Sequence, residues 1–395
     1  KARRPDMVVA VAGCVAQQEG ERICLRAPHV DLVLGTHAVH RLDGLLQRLA
    51  SRGGPVVDTE MNGLSDGPAA VPATGDAGGT SRFVTIMRGC DNFCAYCVVP
   101  HVRGRETSRP PEAILDEIRR LVAAGVREVT LLGQNVNSYG AKESLCSFAQ
   151  LLEQVNAVEG LARIRFTTSH PKDLTPELIQ AFARLEKLCG HIHLPVQSGS
   201  NRILARMNRR YTREHYLDNI AKLRNSCAAI AITSDIIVGF PGETAADFEA
   251  TLDLMRQVEF DGVFAFMYSD RPNTPARNLS EKVPNREMRG RLQMVLALQE
   301  RITAAKHLAL LGSVQEVLTE GLSKRPAAGA DDDQGRREQW TGRTPGNKIV
   351  HFLEEPPPAG AAGLSPGQLV RVRIERAMAH SLWGRLERPP VPERS

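Results

Sequence analysis

The chain has 395 residues, 42% of them hydrophobic and 24% charged, enough for a sizeable core divided among two or three domains. The net charge of +5 is mild, and residues 313–395 carry 12 Lys and Arg against 11 Asp and Glu, which excludes a basic tail and leaves nucleic-acid binding permitted but not demonstrated by charge. No run of about 18 apolar residues occurs, and the opening KARRPDMVVAVAGC lacks the apolar stretch of a secretory signal, so a cytoplasmic protein with no membrane partner is expected.

The sequence starts without an initiator Met just before a strand-like segment, so residues 1–63 are expected to be the remnant of a truncated α/β N-terminal domain. SDGPAAVPATGDAGGT, at 65–80, is too polar and too rich in Gly, Pro and Ala to build a core, which makes 64–81 a linker. Six strand-like segments then alternate with helical ones: RFVTIMR from Arg82, REVTLLG from Arg127, RIRFTTS from Arg163, HIHLPV from His191, AIAITSDIIVG from Ala229 and GVFAFMY from Gly262. Repeated strand-helix units pair in parallel through right-handed crossovers, in an open sheet or in a full or partial (β/α) barrel. In SRPPEAILDEIRRLVAAG the expected helix is capped by Ser108, opened by the prolines, apolar along Ile114, Leu115, Ile118, Leu121 and Val122, and ended by Gly125.

In such barrels chemistry gathers at the C-terminal strand ends, which here carry the loop after Gly89, GQNVNSYG, SHP, QSGS, GFPGET and YSDRPNTP. GFPGET is no phosphate loop, because it lacks the Lys-Ser/Thr of that motif. The α/β region is expected to span 82–312 and to finish in a long helix from about Asn285. Beyond it KRPAAGADDDQGRRE, at 324–338, has the composition of an exposed loop, while GSVQEVLTE, NKIVHFLEE and GQLVRVRIERAMAHSLWGRLE suggest the strands of a small OB-like β-barrel at 313–388. Arg371 and Arg373 alternate with Val372 and Ile374, which puts two arginines on one strand face, either solvated or against RNA.

Eight cysteines suit metal ligands or buried thiols better than a disulfide framework in this compartment. Cys90, Cys94 and Cys97 fall within eight residues in RGCDNFCAYCVVPHVRGRE, at 88–106. Structural zinc needs four ligands and would have to recruit His101 or a distant residue. An iron–sulfur cluster on three thiolates instead leaves one iron without a protein ligand. Phe93 and Tyr96 either pack around such a centre or touch what binds there. Arg103 and Arg105 either hold an anionic substrate or decorate the loop.

The C-x3-C-x2-C spacing after the first strand resembles the radical S-adenosylmethionine (SAM) superfamily signature. VAGCVAQ, GCDNFCAYCVVPHVRGRE, LLGQNVNSYG, FTTSHPKDLT, HLPVQSGSNRILARMNRRYTREHYL, SDIIVGFPGET, SDRPNTPA and GRTPGNKIVHF narrow the resemblance to the methylthiotransferases, particularly the tRNA-2-methylthio-N6-dimethylallyladenosine synthases. The resemblance implies a partial (β/α)6 barrel with a C-terminal TRAM domain that grips RNA. It implies a [4Fe-4S] cluster on Cys90, Cys94 and Cys97 whose open iron chelates SAM, and reductive cleavage of SAM to a 5′-deoxyadenosyl radical. Contacts to SAM are expected from Gln134, Asn135, Ser169, His170 and Gln197 at the strand ends. Cys14, in GCVAQ, matches the last of three cysteines holding a second [4Fe-4S] cluster; the two earlier ones have no counterpart in the 13 residues before it, and activity of a chain without them would stop at SAM cleavage. Cys24, Cys146, Cys189 and Cys227 fit no family position and are expected to be buried, inert thiols.

The implied reaction puts a methylthio group on carbon 2 of N6-isopentenyladenosine beside the anticodon. A flavodoxin or ferredoxin is the implied electron donor and a monomer the implied state. Sibling enzymes act on threonylcarbamoyl-adenosine in tRNA or on a ribosomal-protein aspartate. A non-catalytic RNA-binding protein with zinc on its cysteines is the alternative from another class.

Overall fold

The computed structural model describes residues 1, 3–61, 79–323, 339–354 and 363–387. The linker expected at 64–81 therefore lies outside the described residues but for its last three, and the loop expected at 324–338 lies wholly outside them. All six expected strands form, at Ser81–Thr85, Glu128–Leu132, Arg163–Phe166, His191–His193, Ala231–Val238 and Gly262–Met267. The first three make one parallel sheet in chain order and the last three another, with a parallel bridge from Ile164 to Leu188 between them. The result is a partial barrel with edges at the first and sixth strands.

Strand periodicity sorts the side chains. Val84, Val129, Leu131, Ile164, Phe166, Ile192, Ile236 and Val238 face outward and pack with Ile114, Ile118, Leu151, Leu152, Leu178, Tyr216 and Leu252 of the surrounding helices in one continuous core. The alternate residues face the concave side and are far more polar: Glu128, Arg163, Arg165, His193, Thr233 and Asp235, with Phe83 and Phe264 on the edge strands. Helices begin where the sequence supplies a cap, as in the reciprocal boxes of Ser147 with Gln150 and Thr244 with Asp247.

Ser108 is an exception. The helix runs Pro111–Ala123 with Pro110 at its cap position, and Ser108 instead lies in a two-residue strand paired with Met87, its hydroxyl accepting the Gly140 N–H at 2.9 Å. Two successive prolines remove the amide hydrogens that a cap would bind, so the serine is free for another partner.

At the far end, Val314–Leu322, Gln339–Arg343, Ile349–Leu353, Leu369–Ala377 and Leu382–Leu386 close a five-stranded barrel around Val317, Trp340, Val350, Phe352, Val372, Ile374 and Leu382. Gln339–Arg343 was not among the expected strands; its QWTGR is short and interrupted by Gly342, and only Trp340 signals burial. The turn after it docks at the N-terminal ends of the partial-barrel strands. Arg165 donates to the Thr344 and Pro345 carbonyls, each at 2.8 Å, Arg163 donates to the Arg343 carbonyl at 2.6 Å, and Lys348 and Lys306 each reach Asp261 at 2.8 Å.

The N-terminal residues form a parallel sheet of Ala10–Ala12, Leu32–Leu34 and Val56–Asp58. Among the described residues no helix is long and apolar enough to cross a membrane.

Candidate functional site

Met87–Arg88 pairs antiparallel with Thr107–Ser108, which ties the base of the loop that carries Cys90, Cys94 and Cys97. Gly89 enters that loop at φ +73°, its N–H donated to Gln134 Oε1 at 2.7 Å. A Cβ at Gly89 would sit 2.0 Å from the Arg105 carbonyl oxygen. Gly89→Ala is therefore expected to destabilise the protein by about 1–3 kcal/mol and to lower iron uptake, measured by denaturant midpoint and iron per chain; wild-type values for both would contradict the role given to this turn.

Cys94 is buried and Cys90 and Cys97 are half-buried, all three as free thiols. Burial lifts the Cys90 thiol and pushes Cys97 up to about 11, so neither ionises readily unless a cation replaces its proton, as coordinated iron does. Among the described residues no three His, Cys, Asp or Glu side chains converge as ligands of a single ion. Three thiols on one loop are the donor type that an iron–sulfur cluster takes, so the donor set suits a cluster. Cys94 and Cys97 open on a cavity of about 620 Å³ shared with Phe93, His101, Thr274 and Arg277.

One wall of the loop was not anticipated. The Ala95 N–H donates to the Met207 carbonyl at 2.9 Å, Asn208 Nδ2 to the Phe93 carbonyl at 2.9 Å and Arg209 Nη1 to Cys94 Sγ at 3.3 Å, while the Ala95 carbonyl accepts from Ala276 at 2.8 Å. Asn208 and Arg210 both adopt φ +57°, a pair of left-handed turns that no periodicity announces. Asn273–Asn278 of the sixth strand end supplies the far side of the cavity.

Gln134 is committed to Gly89. Asn135 Nδ2 donates to Asp173 at 2.7 Å and leaves its Oδ1 unpartnered. Asn137 Oδ1, Ser169 Oγ and His170 Nε2 are buried and unpartnered as well, on loops that adjoin through the Val136 N–H and the Thr168 carbonyl at 3.0 Å. Burial, with Arg209 next, keeps His170 neutral, its pKa pushed down to about 2. Four unsatisfied polar atoms at two neighbouring strand ends are what a polar ligand completes, and they fit the polar groups of SAM. Gln197, at φ +73°, is buried at the fourth strand end, its backbone bridging the fifth strand through Asp235 and Ile237.

Phe93 is 40% exposed and lines the cavity. Tyr96 turns inward, packed against Ala95, Ile203, Met207, Phe240 and Tyr268, its hydroxyl accepting from Arg209 at 3.3 Å, which is the packing alternative. Arg105 pairs with Asp91 at 2.7 Å and lies 5.7 Å from the Phe93 ring centroid. The Arg103 carbonyl binds His37 at 3.1 Å. Arg371 and Arg373 do share an exposed face, but both meet Glu387, at 3.4 and 2.5 Å. Exposed pairs of this kind contribute little and release readily to a phosphate.

Cys14 begins the helix Cys14–Glu19, which packs on Val99–Arg103, the short helix directly after Cys97. Thr36 Oγ1 also donates to the Val102 carbonyl there. Cys24, Cys146 and Cys227 pack against apolar clusters and Cys189 is buried.

Residues 84–255 match the radical SAM superfamily model. The chain is 55% identical over 384 residues to the tRNA-2-methylthio-N(6)-dimethylallyladenosine synthase of Desulfosudis oleivorans, covering 97% of this chain and 82% of the relative. It is 51% identical over 381 residues to the enzyme of the same name from Geobacter metallireducens, covering 96% and 82%. Among solved structures, the radical SAM methyltransferase TsrM from Kitasatospora setae is similar at a TM-score of 0.43 and 19% identity, over 50% of this chain and 39% of that one.

Proposed function

The chain belongs to the tRNA-2-methylthio-N(6)-dimethylallyladenosine synthase family, and from that premise we propose the part each site residue takes in methylthiolation of carbon 2 of N6-isopentenyladenosine in tRNA. The enzyme is a radical SAM tRNA methylthiotransferase with a [4Fe-4S] cluster and SAM as cofactors. Bound there, cluster and SAM supply one-electron chemistry that can functionalise a C–H with no acidic proton.

Cys90, Cys94 and Cys97 hold that cluster. The observation that carries this assignment is the loop itself: three free thiols within eight residues, two of them, Cys94 and Cys97, opening on a cavity. Gln134 fixes Gly89 and with it the loop entry. Asn135, Ser169 and His170 orient SAM; His170, kept neutral, offers a hydrogen bond without a competing charge. Ala95, Ile203, Met207, Phe240 and Tyr268 keep water from one flank of the loop. Cys14 supplies one ligand of a second [4Fe-4S] cluster, on the helix that abuts the first cluster loop.

A base in an anticodon loop is unstacked at less cost than one in a duplex, so the substrate base can reach a recessed site. Arg371 and Arg373 on the C-terminal barrel and Arg103 and Arg105 beside the cluster meet phosphates. A flavodoxin or ferredoxin delivers the electron to a monomeric enzyme.

The test compares 2-methylthio nucleosides, by mass spectrometry, in tRNA from cells with and without the complete gene. Loss of 2-methylthio-N6-isopentenyladenosine in the deletion supports the assignment. An unchanged level overturns it, and loss of the threonylcarbamoyl product instead would move the enzyme to its sibling group.

A further inference from the structure

Among the described residues Arg209 is the one buried cation that hydrogen-bonds a thiol of the three-cysteine loop, and no carboxylate among them gives it a counter-charge. It is 4% exposed and makes no ion pair with any carboxylate among the described residues. Its partners are neutral oxygens and a sulfur: the Pro195 carbonyl at 2.7 Å, the Tyr211 hydroxyl at 3.0 Å, the Tyr96 hydroxyl at 3.3 Å and Cys94 Sγ at 3.3 Å. The contrast with the other buried guanidiniums is plain. Arg165 meets Glu128 at 2.8 Å, Arg163 meets Glu316 at 2.9 Å, Arg109 meets Glu117 at 2.7 Å, and Arg291 is paired with Glu243. A buried charge without an opposite charge is disfavoured by several kcal/mol, so this site is built for a negative group that is not a side-chain carboxylate.

Two candidates carry such charge here: the carboxylate of SAM and the thiolate-ligated cluster. The guanidinium geometry favours the second. Nε and Nη2 are each held by protein oxygens and Nη1 by both Tyr96 and Cys94, so no edge of two free parallel N–H groups remains for bidentate grip of a carboxylate. The segment bearing Arg209 also fixes the loop backbone, through Met207 and Asn208, so its charge is held at a set position relative to the Cys94 sulfur.

We propose that Arg209 is a positioning residue that sets the reduction potential of the cluster, by placing a fixed positive charge and an N–H donor on the Cys94 thiolate. Three thiolates give the oxidised cluster net negative charge, and the single electron taken from an external flavodoxin- or ferredoxin-class donor makes it more negative by one unit. A cation and a hydrogen bond at a ligand sulfur stabilise the reduced form more than the oxidised one and raise the potential. Arg209 thereby makes the cluster reducible by such a donor before SAM binds. The inference rests on Cys90, Cys94 and Cys97 holding the cluster.

The test is an anaerobic, EPR-monitored titration with dithionite and mediators, on reconstituted SAM-free protein in a Cys14→Ala background so that one cluster gives the signal. Arg209→Met is expected to cut the reduced-to-oxidised ratio at a given potential by tenfold or more, a fall of about 59 mV or more for a one-electron couple. Arg209→Lys should recover at least half of that fall, and Tyr211→Phe, which removes one acceptor but keeps the charge, should change the ratio less than twofold. SAM affinity, measured by calorimetry on the oxidised protein, should change less than threefold. An unchanged potential in Arg209→Met with full iron overturns the proposal, as does a loss of SAM affinity at unchanged potential. If Arg209→Met loses its iron, retention by Arg209→Lys supports a role of the charge, and loss in both variants overturns it. A wild-type protein that takes up no iron would sink the cluster assignment itself, a separate outcome.

Discussion

Replacing Cys94 with Ala in a Cys14→Ala background is expected to abolish the one remaining cluster: iron per chain falls from about four to near zero after anaerobic reconstitution, the absorbance near 400 nm disappears, and SAM cleavage is not detected. Cys94 is the most enclosed of the three thiols, bound by Arg209 and flanked by backbone bonds to Met207 and Asn208, so removing it leaves only two thiolates on the loop. His101 is the discriminating control. It lines the same cavity and is the residue a zinc site would recruit as fourth ligand. Under the cluster assignment, His101→Ala keeps its iron and its colour. Under zinc ligation, wild type would be colourless and His101→Ala would shed the metal, and that pair of results would remove the enzymatic reading altogether.

The three thiols were legible because their ligands lie close in sequence, and ligand spacing is a local property. The same holds for the six barrel strands, whose outward residues alternate with inward ones from Val84 to Val238. Arg209 was not legible. It lies 115 residues from Cys94, and within the stretch RMNRRYT nothing distinguishes it from Arg210, which is exposed. Only the pair of left-handed residues on either side decides which of the two arginines turns inward. Ser108 failed for a related reason, since its partner Gly140 belongs to the loop after the second strand. Arg371 and Arg373 were correctly set on one face, yet their pairing with Glu387 could not be read from a strand pattern. What is missing is the backbone turn that orients Arg209 and the contacts that Ser108, Arg371 and Arg373 make with other elements, none of which periodicity encodes.

GRTPGNKIVHF, whose second half is an expected strand of the small barrel, is also the joint between the two barrels, and its failure should be costly. Arg165→Met is expected to destabilise the protein by about 3–5 kcal/mol. Arg165 is 6% exposed and holds Glu128, also buried, at 2.8 Å while donating to the Thr344 and Pro345 carbonyls. Methionine fills much of the space, but strands a buried carboxylate whose remaining side-chain donor is the Ser81 hydroxyl at 3.1 Å, and leaves two carbonyls without their donor. Most of the loss should therefore come from the uncompensated charge. Adding Glu128→Gln to Arg165→Met should recover a substantial part of the stability without restoring the joint, a separation that a denaturant titration of both variants measures directly. Function should divide along the same line. The cluster loop lies at the opposite ends of the strands, so SAM cleavage in the absence of tRNA is expected to stay within about threefold of wild type, whereas the KM for tRNA should rise at least tenfold, because a C-terminal barrel freed from its seat no longer presents bound RNA to the catalytic barrel at a fixed distance. If KM for tRNA is unchanged while stability falls, the docking turn is a structural clasp only, and RNA must be positioned by residues of the catalytic barrel itself, with Arg103 and Arg105 the first to test.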